Sequence, residues 1–254
     1  MKKYPILEFD ANSPAVINPL QEQKKINGMP EHCVLCFFND VVKKYARQHR
    51  AEIIYTCKSE IGKHHAYKFR HKNKTVALIH PGVGAPLAAG LLEELIGQGA
   101  RKFIACGGAG VLDGSIPPGH LILPVSAIRD EGTSYHYLPP GREVKAAPSA
   151  ISAIRKILAR HGIKHLTTKT WTTDAFYRET RHKVAIRKKE GCSAVEMEAA
   201  ALFAVAKFRN VELGQILYAG DDLSGAKWDS RQWNKHHSVR EKLLWLAAEA
   251  CLEM

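Results

Sequence analysis

Short apolar runs recur along the chain, each bounded by glycine, proline or charged residues. Runs of this length predict buried strands, because a strand covered on both faces needs no polar side. The sequence contains six of them: Cys33–Phe37, Ile53–Tyr55, Val76–Ile79, Phe103–Cys106, Leu121–Val125 and Gly214–Ala219. We predict that these runs form the strands of a central sheet.

Longer segments between these runs carry apolar residues three or four positions apart, which is the spacing of an amphipathic helix. Leu87, Leu91 and Leu95 fall on one stripe of segment 86–97, and Pro86 suits a first helical turn. Similar patterns predict helices over Ser149–His161, Glu196–Phe208 and Asn234–Leu252. Strands that alternate with helices indicate an α/β fold. Because no repeat or linker interrupts the pattern, we predict one domain over residues 1–254, with a central mixed, twisted sheet flanked by helices.

The composition is that of an ordinary packed protein. Of the 254 residues, 45% are hydrophobic and 24% are charged. No run approaches the roughly 18 apolar residues that a membrane span needs. The chain reaches Asp10 too early for the apolar core of a signal peptide. We therefore expect a cytoplasmic protein.

The chain is strongly basic, with 37 Lys and Arg against 25 Asp and Glu and a formal net charge of +12. Such a charge raises the possibility of nucleic-acid binding. The cations are spread over segments such as Lys43–Arg50, Lys63–Lys74 and Arg187–Lys189, without the interleaved aromatic residues of RNA-binding modules. We interpret them as a solvated surface. Nucleic-acid binding and the steering of anionic small molecules remain the alternatives.

The cysteines and histidines do not predict a metal or organic cofactor. Cys33 and Cys36 form a CxxC inside an apolar run, and residues three apart on a strand point to opposite faces. We interpret the six cysteines as small core residues. The pairs His64–His65 and His236–His237 have no nearby acid cluster and are interpreted as surface residues.

Two glycine-rich turns follow predicted strands and are candidate ligand-binding loops. The first, HPGVGAP at His80–Pro86, contains Gly84 and runs into a helix whose N-terminus favours an anion. The second, ACGGAG at Ala105–Gly110, contains Gly107 and Gly108. Glycines let backbone N–H groups approach a ligand closely, although such turns are also common where the chain simply bends tightly.

Four polar segments concentrate the remaining chemistry: RDEGTSYHY at Arg129–Tyr137, WTTDAFYRET at Trp171–Thr180, SAVEMEAAA at Ser193–Ala201 and YAGDDLSG at Tyr218–Gly225. Ligands of α/β proteins usually bind where strands end. These acids could instead have structural roles. Glu196 and Glu198 would then complement a helix dipole, and Asp221 and Asp222 would cap a turn or a helix.

Together these segments resemble the nucleoside phosphorylase/nucleosidase superfamily, which includes uridine phosphorylase, hexameric purine nucleoside phosphorylase and methylthioadenosine nucleosidase. The resemblance covers roughly residues 75–225 and rests on VEMEAAA, preceded by TTDAFY and followed by GDD. The RDEGTS segment is similar to the phosphorylase side of the superfamily. The resemblance implies a nucleoside phosphorylase-like fold and cleavage of the C1′–N bond of a nucleoside.

The resemblance also implies roles for individual residues. Glu198 would hold the ribose 2′-hydroxyl, Met197 would pack on the sugar, and Glu196 would hold the sugar or orient the pocket. Phe176 would stack on the base. Asp221 would protonate N7 of a purine, with Asp222 as the rival for that role. Two further contacts follow from the segments: the glycine turns would approach the substrate, and His136 would face the pocket.

The sequence departs from the phosphorylase pattern where phosphate is usually bound. Ala105 stands where phosphorylases of the family carry an arginine, and Gly108 replaces a hydroxyl residue. The early Gly-Asp-Pro turn with its arginine is replaced by CVLCFFNDVVKKY. Lys43, Lys44, Arg50 or an arginine from a neighbouring subunit would then have to bind phosphate. Alternatively, water attacks and the protein is an N-glycosidase.

The choice of base follows from the residues after Phe176. Uridine phosphorylases present Gln and Arg where this chain has Thr180 and His182, which together with Asp221 favours a purine nucleoside. Arg178 and Arg181 leave uridine open. We expect phosphate as co-substrate, no cofactor, and a homo-oligomer (dimer, trimer or hexamer). A ligand-binding protein without turnover is the alternative from a different class.

Overall fold

Ten strands form the framework of the protein. The computed structural model describes residues 3–12, 14–22, 25–71 and 73–254. The strands are β1 His32–Cys36, β2 Glu52–Ser59, β3 Gly62–His71, β4 Lys74–Ile79, β5 Lys102–Val111, β6 Leu121–Asp130, β7 Glu143–Lys145, β8 His165–Thr173, β9 Cys192–Glu196 and β10 Glu212–Asp222. The helices are α1 Pro19–Glu22, α2 Asn39–Gln48, α3 Ala85–Gln98, α4 Pro148–Arg160, α5 Arg181–Lys189, α6 Ala199–Phe208 and α7 His237–Glu253. Short 3₁₀ turns lie at Pro5–Leu7, Thr133–His136, Phe176–Arg178 and Trp233–Lys235.

All ten strands belong to one mixed sheet. Its central part is parallel: β4 pairs with β1, β1 with β5 and β5 with β10. Beyond β10 the sheet continues through β6, β8 and β9, and β9 pairs back with the end of β5. These five strands therefore close into a ring, and on the other side of the sheet β3 and β2 extend from β4 as an antiparallel flap. The predicted α/β fold with a mixed sheet flanked by helices is confirmed.

The helices cover the sheet with small and branched apolar side chains. α4 packs against α7, and α3 packs against α6. Where α4 meets β10 the contact is so close that a Cβ at Gly214 would lie 2.8 Å from the Cβ of Ala150. All six cysteines are buried and free, which confirms their interpretation as core residues. In the described part of the chain, no helix combines the length and apolar character needed to cross a bilayer.

Several predicted boundaries were wrong. The segment predicted as a helix from Glu196 begins as a strand: Glu196 ends β9, and α6 starts at Ala199. The C-terminal helix begins at His237 rather than Asn234, and the strand predicted at Gly214–Ala219 extends from Glu212 to Asp222. The basic stretch Lys63–Lys74 lies mainly on β3, with Lys72 outside the described residues. His64, His65 and His236 are half-buried rather than on the surface, and His237 is exposed.

Candidate active site

A cleft of about 860 Å³ opens where β5 and β10 end. Its walls come from the turn after β1, from the glycines of β5, from the β9–α6 junction, from residues 176–181, from the loop after β10 and from Arg240 of α7. Carboxyl ends of neighbouring parallel strands meet at one edge of a sheet, which is why chemistry-bearing residues from distant parts of the chain converge here. Glu196, Met197, Glu198, Phe176, Gly107, Gly108 and Asp221 all line this cleft.

Glu196 is buried at the junction of β9 and α6 and is fully hydrogen-bonded. Its Oε1 accepts from the Thr172 hydroxyl at 2.6 Å, and its Oε2 accepts from the backbone N–H groups of Glu198 at 2.8 Å and Ala199 at 2.6 Å. Those two N–H groups begin α6, so Glu196 caps this helix from the preceding strand. Burial raises the pKa of Glu196, whereas these hydrogen bonds lower it. The geometry therefore suits Glu196 for orienting the site.

Glu198 lies two residues further on, at the N-cap of α6, and is also buried. Its Oε1 accepts from the backbone N–H of Gly84 at 2.6 Å. Gly84 precedes α3 with a φ of 95°, a conformation that favours glycine. Burial, followed by the negative charge of Glu196, raises the pKa of Glu198. Gly84 thus supports the carboxylate, and the same turn lines the cleft through Val83.

Aromatic and thioether side chains form an apolar part of the cleft. The rings of Phe176 and Tyr177 are tilted against each other with centroids 4.2 Å apart. Phe176 is 51% exposed, so one side of its ring is open to the cleft. Met197 is half-buried beside Glu198. A flat heteroaromatic ring would find a stacking surface at Phe176.

The two adjacent acids at the end of β10 have different environments. Asp221 lines the cleft, and its Oδ2 accepts from the indole N–H of Trp228 at 2.7 Å. Asp222 is turned into the loop, where its Oδ2 forms an ion pair with Arg231 at 2.6 Å and its Oδ1 accepts from Ser224 N at 2.7 Å. Of the two candidates for protonating a base, the structure therefore brings only Asp221 to the cleft.

A further carboxyl, Glu179, lines the same part of the cleft and was missed by the sequence analysis. Burial, together with the charge of Asp221, raises the pKa of Glu179 to about 7. The only available signal was its position within the WTTDAFYRET segment, which also contains the acid Asp174. Asp174 in fact accepts a hydrogen bond from Gly132 N at 2.8 Å and does not line the cleft.

The second glycine-rich segment, Ala105–Gly110, was predicted as a turn but lies within strand β5, where its glycines leave little room for side chains. A Cβ at Gly107 would lie 3.2 Å from Phe37, and one at Gly108 would lie 3.2 Å from the Tyr218 ring. The aromatic residues after β1 and in β10 thus occupy space beside both glycines. A hydroxyl residue at position 108 would crowd Tyr218.

The RDEGTS segment builds structure around an internal arginine. Arg129 is buried and donates to the Ser134 hydroxyl at 2.8 Å and to the carbonyl oxygens of Ser134, Leu138 and Pro139. His136 is exposed on the following 3₁₀ turn. It does not line the cleft formed by the described residues of one chain, contrary to the sequence-based expectation.

The cations proposed to replace the missing arginine do not reach the cleft. Ala105 is fully buried, Lys44 is paired with Glu241, and neither Lys43 nor Arg50 lines the cleft. The cations that line it among the described residues are Arg181, Lys227 and Arg240. Within this described part of the chain, no three His, Cys, Asp or Glu side chains are arranged to hold a metal ion.

The fold and the cleft define an α/β protein with a ligand site at the carboxyl edge of its sheet. Within that class, the chain belongs to the phosphorylase superfamily, which matches residues 31–251. The resemblance inferred from VEMEAAA, TTDAFY and GDD is therefore confirmed.

Curated relatives carry different substrate names. The chain is 31% identical over 137 residues to the guanosine phosphorylase of Halorubrum lacusprofundi, covering 53% of this chain and 56% of the relative. It is 31% identical over 155 residues to the uridine phosphorylase of Treponema pallidum, covering 56% of this chain and 59% of the relative. The matched region thus spans a little over half the length of these relatives.

Solved structures confirm the fold over most of the chain. The AMP nucleosidase of Bacteroides thetaiotaomicron superposes with a TM-score of 0.71 and 23% identity, covering 90% of both chains. The uridine phosphorylase of Vibrio fischeri superposes with a TM-score of 0.76 and 23% identity, covering 92% of this chain and 100% of the other. At this identity the likeness concerns the fold alone.

Proposed function

We propose that the protein is a nucleoside phosphorylase that cleaves the N-glycosidic bond of a purine nucleoside with phosphate, releasing free base and ribose 1-phosphate. The observation that carries the proposal is the joint presence of Glu198 and Asp221 in the walls of one cleft, with the open ring of Phe176. A nucleoside has a polar sugar and a flat base, and these residues offer a partner for each.

At the sugar, Glu198 would contact ribose hydroxyls, with Met197 beside the ring. The reaction develops positive charge on the sugar as the bond to the base breaks, as in other glycoside cleavages. A fixed carboxylate in a buried site stabilises such charge more strongly than water would. The hydrogen bond from Gly84 N and the cap formed by Glu196 would hold this carboxylate in place.

At the base, Phe176 would provide stacking, and Asp221 would donate a proton. A protonated base leaves more readily, because it accepts the electron pair of the broken bond without gaining negative charge. Glu179, with a pKa of about 7, would hold a proton beside Asp221 near neutral pH. An oxygen of phosphate forms the new bond to C1′ as the C1′–N bond breaks, and the proton lost from phosphate restores the carboxyl pair.

Hydrolysis by the same site is the second candidate. It is favoured by the absence of a side-chain cation or hydroxyl at Ala105 and Gly108. The AMP nucleosidase of B. thetaiotaomicron shows that the fold also occurs in a protein named as a nucleosidase. In this reaction water takes the place of phosphate, and the product is free ribose.

The test is product analysis with inosine, adenosine and uridine, each with and without phosphate. We expect phosphate-dependent release of hypoxanthine or adenine together with ribose 1-phosphate, and slower release of uracil. Asp221→Asn should lower release of the purine base, whereas Asp113→Asn, the same change in an exposed turn, should leave it unchanged. Free ribose formed at equal rates without phosphate would establish the hydrolase instead, and binding without cleavage would contradict both reactions.

A further inference from the structure

Glu179 is a half-buried carboxyl in the wall of the cleft, and the family resemblance gives it no role. It follows the 3₁₀ turn Phe176–Arg178, and its backbone N–H donates to the carbonyl oxygen of Phe176 at 3.2 Å. In a 3₁₀ turn, side chains three positions apart lie on the same side. Phe176 and Glu179 both line the cleft, so that one turn presents a stacking ring and a carboxyl. We therefore expect the edge of a base stacked on Phe176 to lie at Glu179.

Asp221 lies at the same end of the cleft as Glu179, and its charge acts on the Glu179 carboxyl. The loop after β10 contacts the surroundings of both acids. Its Trp228 donates from the indole N–H to Asp221 Oδ2 at 2.7 Å. The carbonyl oxygen of Ala226 in the same loop accepts from the guanidinium of Arg181, two residues after Glu179. One loop thus ties together the two segments that carry these neighbouring carboxyls.

The Glu179 carboxyl has no hydrogen-bond partner among the described residues, so its hydrogen-bonding capacity is left for a ligand. The other charged groups in the cleft walls come from β10, α5, the loop after β10, the β9–α6 junction and α7: Asp221, Arg181, Lys227, Glu196, Glu198 and Arg240. Burial, followed by the charge of Asp221, raises the pKa of Glu179 to about 7. Its protonated and ionised forms are therefore both populated near neutral pH.

The edge of a purine that carries N7 also carries the substituent at position 6. N7 is an acceptor in both kinds of purine, whereas the 6-substituent is an acceptor oxygen in guanine and a donor amino group in adenine. With Asp221 at N7, the neighbouring carboxyl of Glu179 faces position 6. We propose that Glu179 recognises the 6-substituent: when protonated it donates to a 6-oxo oxygen, and when ionised it accepts from a 6-amino group. This inference rests on the proposed cleavage of a purine nucleoside.

Recognition by a carboxyl that titrates makes the choice of substrate depend on pH. Below about pH 7 the protonated Glu179 favours a 6-oxopurine nucleoside such as inosine. Above that pH the carboxylate repels the 6-oxo oxygen and favours the amino group of adenosine. The experiment measures kcat/KM for both nucleosides by base release, because kcat/KM follows the ionisation of groups in the free enzyme. The ratio of the two values cancels the titration of phosphate and of Asp221, which act on both substrates alike.

We expect the ratio of kcat/KM for inosine to that for adenosine to fall by about 10- to 100-fold from about pH 5.5 to about pH 8, the range of one hydrogen bond to a charged group. Glu179→Gln should abolish this dependence on pH, because an amide offers a donor and an acceptor at every pH. Glu212→Gln is the matched control at the other end of β10, outside the cleft, and should keep the wild-type ratio at each pH.

Binding of the free bases measures the same preference without turnover. In calorimetric titrations of the full chain, hypoxanthine should bind more weakly at pH 8 than at pH 5.5, and adenine should bind more tightly. Neither change should occur in Glu179→Gln. A thermal unfolding midpoint close to that of the wild type checks that each variant is folded. If Glu179→Gln does not fold, Glu179→Ala removes the same carboxyl and should also give a ratio independent of pH.

The outcomes separate this inference from the proposed function. A ratio independent of pH in a wild-type protein that cleaves both nucleosides with phosphate would overturn the role of Glu179 and keep the phosphorylase. A pH-dependent ratio that Glu179→Gln abolishes, in a protein that releases free ribose, would keep the role and overturn phosphorolysis. A dependence on pH that persists in Glu179→Gln would assign the titration to another group and overturn the inference. A wild-type protein that binds neither hypoxanthine nor adenine would overturn it as well.

Discussion

Thr172 connects the two elements that carry the paired glutamates, and its replacement tests how that pair is held. The hydroxyl of this buried residue donates to Glu196 Oε1 at 2.6 Å and accepts from Ala200 N at 2.9 Å. Thr172→Val keeps the shape of the side chain but removes both hydrogen bonds. It leaves a buried N–H group and a buried carboxylate oxygen each short of one partner.

A buried polar group that loses its hydrogen-bond partner costs about 1–3 kcal/mol. Because Thr172→Val leaves two such groups, we expect it to lower the free energy of unfolding by about 2–6 kcal/mol. Thr172→Ser is the matched control, because it keeps the hydroxyl and loses one methyl group, at a cost of about 0.5–1.5 kcal/mol. Equilibrium urea denaturation, followed by the fluorescence of the tryptophans, measures both variants at equal protein concentration.

The loss of stability in Thr172→Val should also depend on pH, which provides a second measurement. The hydrogen bond from Thr172 lowers the pKa of Glu196, so its removal raises that pKa further. The folded variant then holds the proton more tightly than folded wild type, and its deficit in stability grows as pH rises and Glu196 ionises. We expect a larger deficit at pH 9 than at pH 5. A Thr172→Val protein no less stable than Thr172→Ser, or a deficit independent of pH, would refute this account of the junction.

Three further predictions concern single side chains. Glu198→Gln should lower kcat for nucleoside cleavage by at least about 100-fold while the circular dichroism spectrum stays native, and a near-normal rate would contradict its role. Because the pKa of Glu179 is raised to about 7 in the folded protein, this group lowers wild-type stability as pH rises from about 4.5 to 7. In thermal unfolding, Glu179→Gln should make this fall smaller, while the share that comes from Glu196 and Glu198 stays. Gly90→Ala, on an open face of α3, should stabilise the protein by about 0.5–1 kcal/mol. Gly214→Ala, facing Ala150, should destabilise it by about 1–3 kcal/mol, and equal effects of the two alanines in urea would contradict the packing described.

The elements with a simple apolar signal were predictable from the sequence. The runs of β1, β4, β5 and β6 are buried nearly throughout, so their composition reflects their place in the sheet. β3 was missed because it is an antiparallel strand of the flap with half-exposed histidines and lysines. α5 was missed because only Val184 and Arg187 of its nine residues are buried.

Ion pairs attach the buried face of α5 to the sheet, and the spacing of apolar residues in the sequence does not reveal them. Asp130 Oδ2 accepts from Trp171 Nε1 at 2.9 Å, from Lys183 Nζ at 3.0 Å and from Arg187 Nη2 at 3.1 Å. Asp130 lies on β6, and its partners lie on β8 and α5. A one-dimensional pattern cannot show that three such distant positions share one carboxylate.

The candidate site also contains some residues that the sequence could reveal and others that it could not. Glu198, Met197, Phe176 and Asp221 belong to local segments with a strong resemblance to a known family, and the fold brings them to one cleft. Gln215 and Arg240 belong to no such segment: one lies within an apolar strand, the other on the C-terminal helix. Their place in the wall of the cleft follows only from strand register and helix packing.

Glu196 and Glu198 have the same side chain, but their surroundings give them different roles. Glu196 meets three hydrogen-bond donors, two of which are N–H groups at the start of α6. These donors favour its ionised form and leave both of its oxygens occupied. Glu198 accepts from the N–H of Gly84, and a backbone hydrogen bond at Met197 also lowers its pKa, whereas burial and the charge of Glu196 both disfavour its ionisation. The residue with hydrogen-bonding capacity left for a ribose hydroxyl is therefore Glu198, and Glu196 is the fixed charge that positions it.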